Sequence, residues 1–156
     1  MKKFNFLEIE NYLHKISDHS KIYIGCDSMA YKTNKGVWMA DYYKVVVVHI
    51  DGCHGCKIFG EINTEVDYSA NKKKPTYRLM NECYQVAALY LQLAELTNKE
   101  IEVHLDFNPN KKYASNIIIE QAIGYIKGTC NVIPLVKPDA FASSYAADRL
   151  LRIKSF

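Results

Sequence analysis

Four acidic residues in the sequence stand among small or apolar neighbours, where a lone carboxylate is costly to bury. Asp27 and Asp106 each end a short apolar run, whereas Glu82 and Asp148 lie inside helical patterns. An isolated buried carboxylate tends to take up a proton unless a cation compensates its charge. If the fold brings these four together, Mg²⁺ or Mn²⁺ is the compensation that carboxylate oxygens favour. Asp27, Glu82, Asp106 and Asp148 are therefore predicted to be both metal ligands and catalytic residues.

The chemistry expected of such a cluster is phosphodiester hydrolysis. Two ions about 4 Å apart activate a water molecule and stabilise the leaving oxygen. Taken singly, each acid has an ordinary alternative, since aspartates at strand ends cap turns and a glutamate in a helix often faces solvent. Four acids at these places in one strand order favour the metal site over that alternative.

The positions of the acids depend on the elements that carry them, and hydrophobic periodicity predicts those elements. Asn5 is predicted to cap the first helix, and Gly128 to end a later one. The predicted order is helix 6–17, strand 21–27, turn 30–36, strand 37–50, strand 57–63, helix 75–96, strand 101–106, helix 115–127, strand 131–136 and helix 139–153.

This order predicts an α/β domain with a mixed five-stranded sheet: three antiparallel strands, then helix-strand-helix-strand, with helices on both faces. Residues 1–156 are expected to form a single domain, with 1–20 as an N-terminal helical extension. Strands 21–27 and 101–106 are expected to be adjacent and parallel. Their carboxyl ends would then present Asp27 and Asp106 side by side.

Composition indicates a globular chain rather than a membrane or disordered one. The 156 residues are 49% hydrophobic and 24% charged, and no apolar run approaches the roughly 20 residues of a membrane span. With no signal-peptide core visible, we expect a cytoplasmic protein that does not engage membranes. A net charge of +3 permits a polyanionic partner without demanding one. The sequence leaves the oligomeric state open.

The sequence resembles the YkuK-like family of predicted ribonuclease H-like nucleases, and the element order above is the ribonuclease H-like arrangement. The resemblance implies that fold, nuclease activity and an acidic cluster of Asp27, Glu82, Asp106 and Asp148. The segments that carry it are Ile24-Gly25-Cys26-Asp27-Ser28, Arg78-Leu79-Met80-Asn81-Glu82, Val103-His104-Leu105-Asp106 and Lys137-Pro138-Asp139-Ala140-Phe141-Ala142-Ser143-Ser144-Tyr145-Ala146-Ala147-Asp148-Arg149.

Four further residues are predicted to contact the substrate, which we expect to be nucleic acid, either DNA or RNA. His104 lies two positions before Asp106 and therefore on the same face of its strand. Lys137 precedes a strand-end proline, and Lys111 and Lys112 form a basic pair on a loop. The alternatives are an interior histidine at 104 and solvated lysines at the other three positions.

Arg78 lies one helical turn before Glu82, so an i,i+4 contact between the two is also expected.

Two other functions are compatible with the same sequence. A ribonuclease H-like binding or scaffold module would keep the fold while its acids lie apart or pair with lysine and arginine. A hydrolase of a small nucleotide would have a closed pocket lined by tyrosine in place of an open basic groove. The nuclease requires all four acids to lie near one point.

The cysteines suggest a zinc site at first sight, because Cys53 and Cys56 form a CxxC pair in a hairpin that also contains His54. A structural zinc site usually has a second ligand pair elsewhere in the chain, and no second CxxC or HxxxH is present. Cys26, Cys83 and Cys130 fall in apolar segments and are predicted to be buried free thiols.

We therefore predict that Cys53→Ser combined with Cys56→Ser leaves folding and metal content unchanged. The measurements are the thermal melting temperature and the zinc content of the purified protein. Stoichiometric zinc in the wild type that disappears from the double variant would contradict this prediction.

Overall fold

The computed structural model describes residues 3–52, 55–68, 76–106, 114–136 and 142. Four strands form one mixed sheet in the order β3-β2-β1-β4. The elements are α1 (Phe6–Lys15), β1 (Lys21–Lys32), β2 (Trp38–His49), a single 3₁₀ turn (Ile50–Gly52), β3 (Cys56–Val66), α2 (Thr76–Ala94), β4 (Ile101–Leu105) and α3 (Ala114–Cys130).

The sheet buries apolar side chains on both of its faces. Successive strand residues point to opposite faces, so β1 and β2, rich in β-branched and aromatic residues, supply a core to each side. We call one side the helix face; it includes Ile22, Ile24, Cys26, Val46 and Val48. The other is the opposite face, and it includes Tyr23, Tyr43, Val45 and Val47.

The parallel pairing of β1 with β4 confirms the prediction made for these two strands. Its register runs from Ile22 opposite Ile101 to Cys26 opposite Leu105. β1 is also antiparallel to β2, and β2 to β3. β1 therefore lies between β2 and β4, and Asp106 follows the end of β4.

All three helices pack on the helix face. α1 begins after Asn5, whose side chain accepts a hydrogen bond from the Glu8 N–H at 3.2 Å, as predicted. No helix in the described part of the chain is both long and apolar enough to cross a membrane. The residues that the three helices bury against the helix face include Ile9 and Leu13 of α1, Cys83, Val86, Leu89 and Leu93 of α2, and Ile119, Ala122 and Ile126 of α3.

The prediction of a fifth strand over 131–136 was wrong. In the described part of the chain, these residues form a single β-bridge, which pairs Leu135 with His104. Leu135 donates its N–H to the Val103 carbonyl at 2.8 Å and accepts from the Leu105 N–H at 2.9 Å. Pro134 has no N–H for a ladder, and Ile133 is 74% exposed. The chain therefore touches the sheet at one residue instead of forming a strand.

Several element ends also differ from the predictions. β1 continues to Lys32 and β3 to Val66, because pairing with β2 extends strand geometry beyond what local pattern indicates. Gly128 lies within α3 instead of ending it. The helix ends at Cys130, and the next residue, Asn131, adopts a left-handed φ of 58° and donates its N–H to the Lys127 carbonyl.

The helix predicted over 139–153 lies outside the described residues except for Ala142. Ala142 is fully buried and packs with Tyr23, Tyr43, Val45 and Val47. Ala142 therefore lies against the opposite face of the sheet.

Burial of α1 predicts how this helix contributes to stability. Leu13 is fully buried, whereas Leu7 on the same helix is 67% exposed. Leu13→Ala should lower the free energy of unfolding by about 2–5 kcal/mol, because it leaves a cavity. Leu7→Ala, the matched control, should change that free energy by about 0.5 kcal/mol or less. Urea unfolding checks both, and equal effects would contradict the packing of α1 into the core.

Candidate acidic site

Asp27 and Asp106 lie at equivalent places on two neighbouring parallel strands. Cys26 and Leu105 are the last pair in the β1–β4 register. Asp27 is the next residue of β1, and Asp106 directly follows the end of β4. Neighbouring strands in a sheet lie about 5 Å apart. The register therefore brings the two aspartates to the same edge, and both are partly buried.

Glu82 reaches the same region from α2. Its side chain is almost completely buried, with 5% of the residue exposed. Its Oε1 accepts a hydrogen bond from the Ser28 hydroxyl. The Ser28 backbone N–H in turn donates to Asp27 Oδ1 at 2.8 Å. A short chain of hydrogen bonds thus joins the β1 acid to the α2 acid.

The environment of Glu82 disfavours its negative charge. Burial raises the pKa of the Glu82 carboxyl well above its usual range, and the negative charges of Asp27 and Asp106 raise it further. The Ser28 hydroxyl and the Arg78 guanidinium act in the other direction on this pKa. Glu82 is therefore within electrostatic reach of both aspartates, and each of them acts against its negative charge.

The three acids have the ligand type that a divalent cation prefers, but their spacing does not form a ready binding group. Carboxylate oxygens that repel one another are the donor set that Mg²⁺ or Mn²⁺ favours. Within the described ranges, however, no three His, Cys, Asp or Glu side chains lie close enough together to hold a metal ion. Glu82 approaches β1 from the helix face, whereas Asp27 lies on the opposite face.

Arg78 pairs with a different acid from the one expected. Its Nη1 lies 3.7 Å from Asp67 Oδ2, and the Asp67 side chain is fully buried. Its positive charge reaches Glu82 only as the smallest of the influences on that pKa. Arg78 therefore holds the end of β3 to the start of α2 instead of orienting Glu82 directly.

His104 is an interior residue of the opposite face. It is fully buried, and burial lowers the pKa of its imidazole to about 4. Its Nδ1 accepts the Ala142 N–H at 3.0 Å, and its ring lies 5.3 Å from that of Tyr23. These contacts favour the packed-histidine alternative, and contact between His104 and a substrate stays a prediction.

The remaining predicted site residues lie outside the described residues. They are the fourth acid, Asp148, and the three lysines Lys111, Lys112 and Lys137. Cys53 and His54 of the hairpin are also outside, while Cys56 is an exposed free thiol. The buried free thiols predicted at Cys26, Cys83 and Cys130 are confirmed.

Ser28 is the site residue that the sequence reasoning did not single out. It directly follows Asp27, and strand alternation turns its side chain to the helix face, toward α2. Strand alternation could have assigned Ser28 to the helix face from the sequence only if β1 was predicted to continue past Asp27. The predicted strand ended at Asp27, so Ser28 was not predicted to be a site residue.

One polar cavity lies away from the acids. It has a volume of about 590 Å³ and is lined by His14, Ile16, Asp18, Glu95, Leu96, Thr97, Asn98 and Lys99. These residues adjoin the amino-terminal ends of β1 and β4, whereas Asp27 and Asp106 follow the paired segments at their carboxyl ends. Among the described residues, its lining includes no tyrosine and none of the candidate acids, so these residues do not form the pocket expected of a small-nucleotide hydrolase.

Comparison with known proteins defines the class. The ribonuclease H-like family profile matches residues 5–152, nearly the whole chain. The chain therefore belongs to the ribonuclease H-like family, as the sequence resemblance indicated, and its mixed sheet with three helices agrees with that fold. No curated protein and no solved structure matched this chain.

The raised pKa of Glu82 predicts a pH dependence of stability. For a carboxyl with a pKa above the ordinary value of 4.5 in the folded protein, the folded state binds more protons than the unfolded state. Stability therefore falls as pH rises from about 4.5 through the folded-state pKa. In metal-free protein, Glu82→Gln should remove this part of the fall, since glutamine has no proton to lose.

The control is Glu120→Gln, which changes an exposed glutamate on α3 and should keep the wild-type pH profile. Urea unfolding between pH 4 and pH 8 gives the slope for each variant. The test is the slope of the free energy of unfolding against pH. The buried glutamine amide has a desolvation cost of its own, but that cost is the same at every pH and does not change the slope. A Glu82→Gln profile parallel to that of the wild type would contradict the prediction.

Proposed function

We propose that this protein is a metal-dependent nuclease that hydrolyses phosphodiester bonds in nucleic acid. The proposed cofactor is Mg²⁺ or Mn²⁺, and the proposed ligands and catalytic residues are Asp27, Glu82, Asp106 and Asp148. The observation that carries the proposal is the register of the two parallel strands. It sets Asp27 and Asp106 side by side, with the buried Glu82 close enough for its charge to interact with both.

Within this proposal the acids have separate tasks. Asp27 and Asp106 extend from neighbouring strands and would hold a cation between them. Glu82 would complete the site from α2, where a cation would offset the repulsion that now disfavours its charge. When bound, the metal supplies activation of the attacking water and stabilisation of the leaving oxygen.

The fourth acid is proposed to join from the carboxyl-terminal segment. Ala142 packs on the opposite face of the sheet, and Asp148 follows it by six residues. Asp27 lies on the same face. Lys111, Lys112 and Lys137 are proposed to contact phosphates of the nucleic acid, because cationic side chains supply most of the affinity for a polyanion.

A second candidate function is a binding or scaffold module that keeps the fold without catalysis. The observation that favours it is that no three of the candidate ligands form a ready metal-binding group within the residues that the structure describes. In that case Asp27, Glu82 and Asp106 would be structural, and metal ions would leave stability unchanged.

The nuclease proposal predicts a specific response to Asp27→Asn. Cleavage in the presence of Mn²⁺ should fall by about a hundredfold or more, since the metal contributes several kcal/mol to transition-state stabilisation. The metal-free variant should be as stable as the wild type or more stable, because repulsion of Glu82 is relieved. The rise in melting temperature caused by Mn²⁺ should shrink in this variant.

Asp18→Asn is the matched control, since the Asp18 side chain is fully exposed at the other end of β1. Melting curves with and without Mn²⁺ accompany a cleavage assay on single-stranded, duplex and hybrid substrates. Wild-type protein with no metal-induced shift and no cleavage of any substrate would favour the binding module. An Asp27→Asn variant with a destabilised fold and a proportionate loss of activity would make Asp27 structural.

A further inference from the structure

Ser28 contacts two of the candidate acids through two different groups. Its backbone N–H donates to Asp27 Oδ1 at 2.8 Å, and its hydroxyl donates to Glu82 Oε1. The first contact would exist with any residue except proline at this position. The second requires a hydroxyl, so it depends on the identity of the side chain.

Strand geometry explains why one residue can serve both acids. In the β1–β2 register, Asp27 lies opposite Tyr43 and Ser28 lies opposite Tyr42. Tyr43 belongs to the core of the opposite face and Tyr42 to that of the helix face. Asp27 and Glu82 therefore flank β1 from different sides, and Ser28 spans the strand between them.

The Ser28 hydroxyl also meets an energetic need of Glu82. Burial and the charges of Asp27 and Asp106 all act against the ionised Glu82 carboxylate. A hydrogen bond donated to a charged carboxylate is about twice as strong as one between neutral groups. Because Ser28 occupies Oε1 alone, its contact leaves the second oxygen, Oε2, for another partner.

We propose that Ser28 is a positioning residue: its hydroxyl fixes the Glu82 carboxylate so that Oε2 serves as a metal ligand, while its N–H orients Asp27. This inference rests on the proposed metal site and assigns it a residue beyond the four acids. Residues that hydrogen-bond to metal ligands contribute about 10–100-fold to metal affinity when they fix the orientation of those ligands.

The test measures the affinity of metal-free protein for Mn²⁺ alone, by titration followed with electron paramagnetic resonance. Ser28→Ala removes the hydroxyl and keeps the N–H, so its Mn²⁺ affinity should fall by about 10–100-fold. Ser28→Thr keeps a hydroxyl on the same carbon and should restore an affinity close to that of the wild type. If Ser28 were purely structural, Ser28→Ala and Ser28→Thr variants with the same melting temperature would bind Mn²⁺ with the same affinity.

Ser20→Ala is the matched control. Ser20 is a buried serine immediately before β1, and its hydroxyl accepts a hydrogen bond from the Asp51 N–H at 3.2 Å. Its replacement removes a hydrogen bond of similar kind far from the acids. Mn²⁺ affinity should be unchanged in this variant, even if its melting temperature falls.

A double-mutant cycle tests whether Ser28 acts through Glu82. Glu82→Gln alone should weaken Mn²⁺ binding, and adding Ser28→Ala to it should cause no further loss, because residues that act through one contact are not additive. Additive losses would overturn the assignment to Glu82 and leave Ser28 with a different role.

The failure of this inference can be told apart from failure of the proposed function. If the wild type binds Mn²⁺ and cleaves nucleic acid while Ser28→Ala binds Mn²⁺ equally well, the Ser28 inference is wrong and the nuclease stands. If the wild type binds Mn²⁺ but cleaves no substrate, the nuclease is wrong, and the Ser28 variants still decide the positioning role. A wild type that binds no Mn²⁺ overturns both.

Discussion

The parallel pairing of β1 with β4 is the constraint on which the candidate site depends. Two parallel strands in register bring residues that are 79 positions apart in the chain, Asp27 and Asp106, to the same edge of the sheet. Because side chains alternate along a strand, a slip of one residue would move every side chain of β4 to the wrong face. The apolar side chains of Val103 and Leu105, buried on the helix face, prevent that slip.

The second constraint is the cost of placing Glu82 inside the helix-face core. Apart from Glu82, α2 carries no charged residue between Arg78 and its end at Ala94, and Cys83 and Val86 on the same helix are buried. An apolar residue would pack better than a glutamate in that setting, because burying a carboxyl group is costly. Glu82 lies beside Ser28 and within electrostatic reach of Asp27 and Asp106, and the proposed chemistry at the sheet edge would account for a buried acid there.

The two faces of the sheet carry different parts of this arrangement. The helix face holds Glu82 and Ser28 above a core made by all three helices. The opposite face holds Asp27, and its core includes Ala142 at the start of the carboxyl-terminal segment. His104 belongs to that face as a packing residue that accepts the Ala142 N–H, so it links Ala142 to β4. The site is thus divided by β1, and Ser28 is the link across it.

The sequence by itself determined the order of most elements, the cap at Asn5, the buried thiols and the parallel neighbours that carry Asp27 and Asp106. Apolar periodicity is a local property, and it predicts the elements and the buried thiols. The residue type of Asn5 predicts the cap, and the order of the elements along the chain predicts the parallel pair. Tertiary structure alone decided that β1 continues to Lys32, that Leu135 forms one bridge in place of a strand, and that Arg78 pairs with Asp67. Those outcomes depend on which residues of other elements arrive as partners, and a local pattern contains no information about partners distant in the chain.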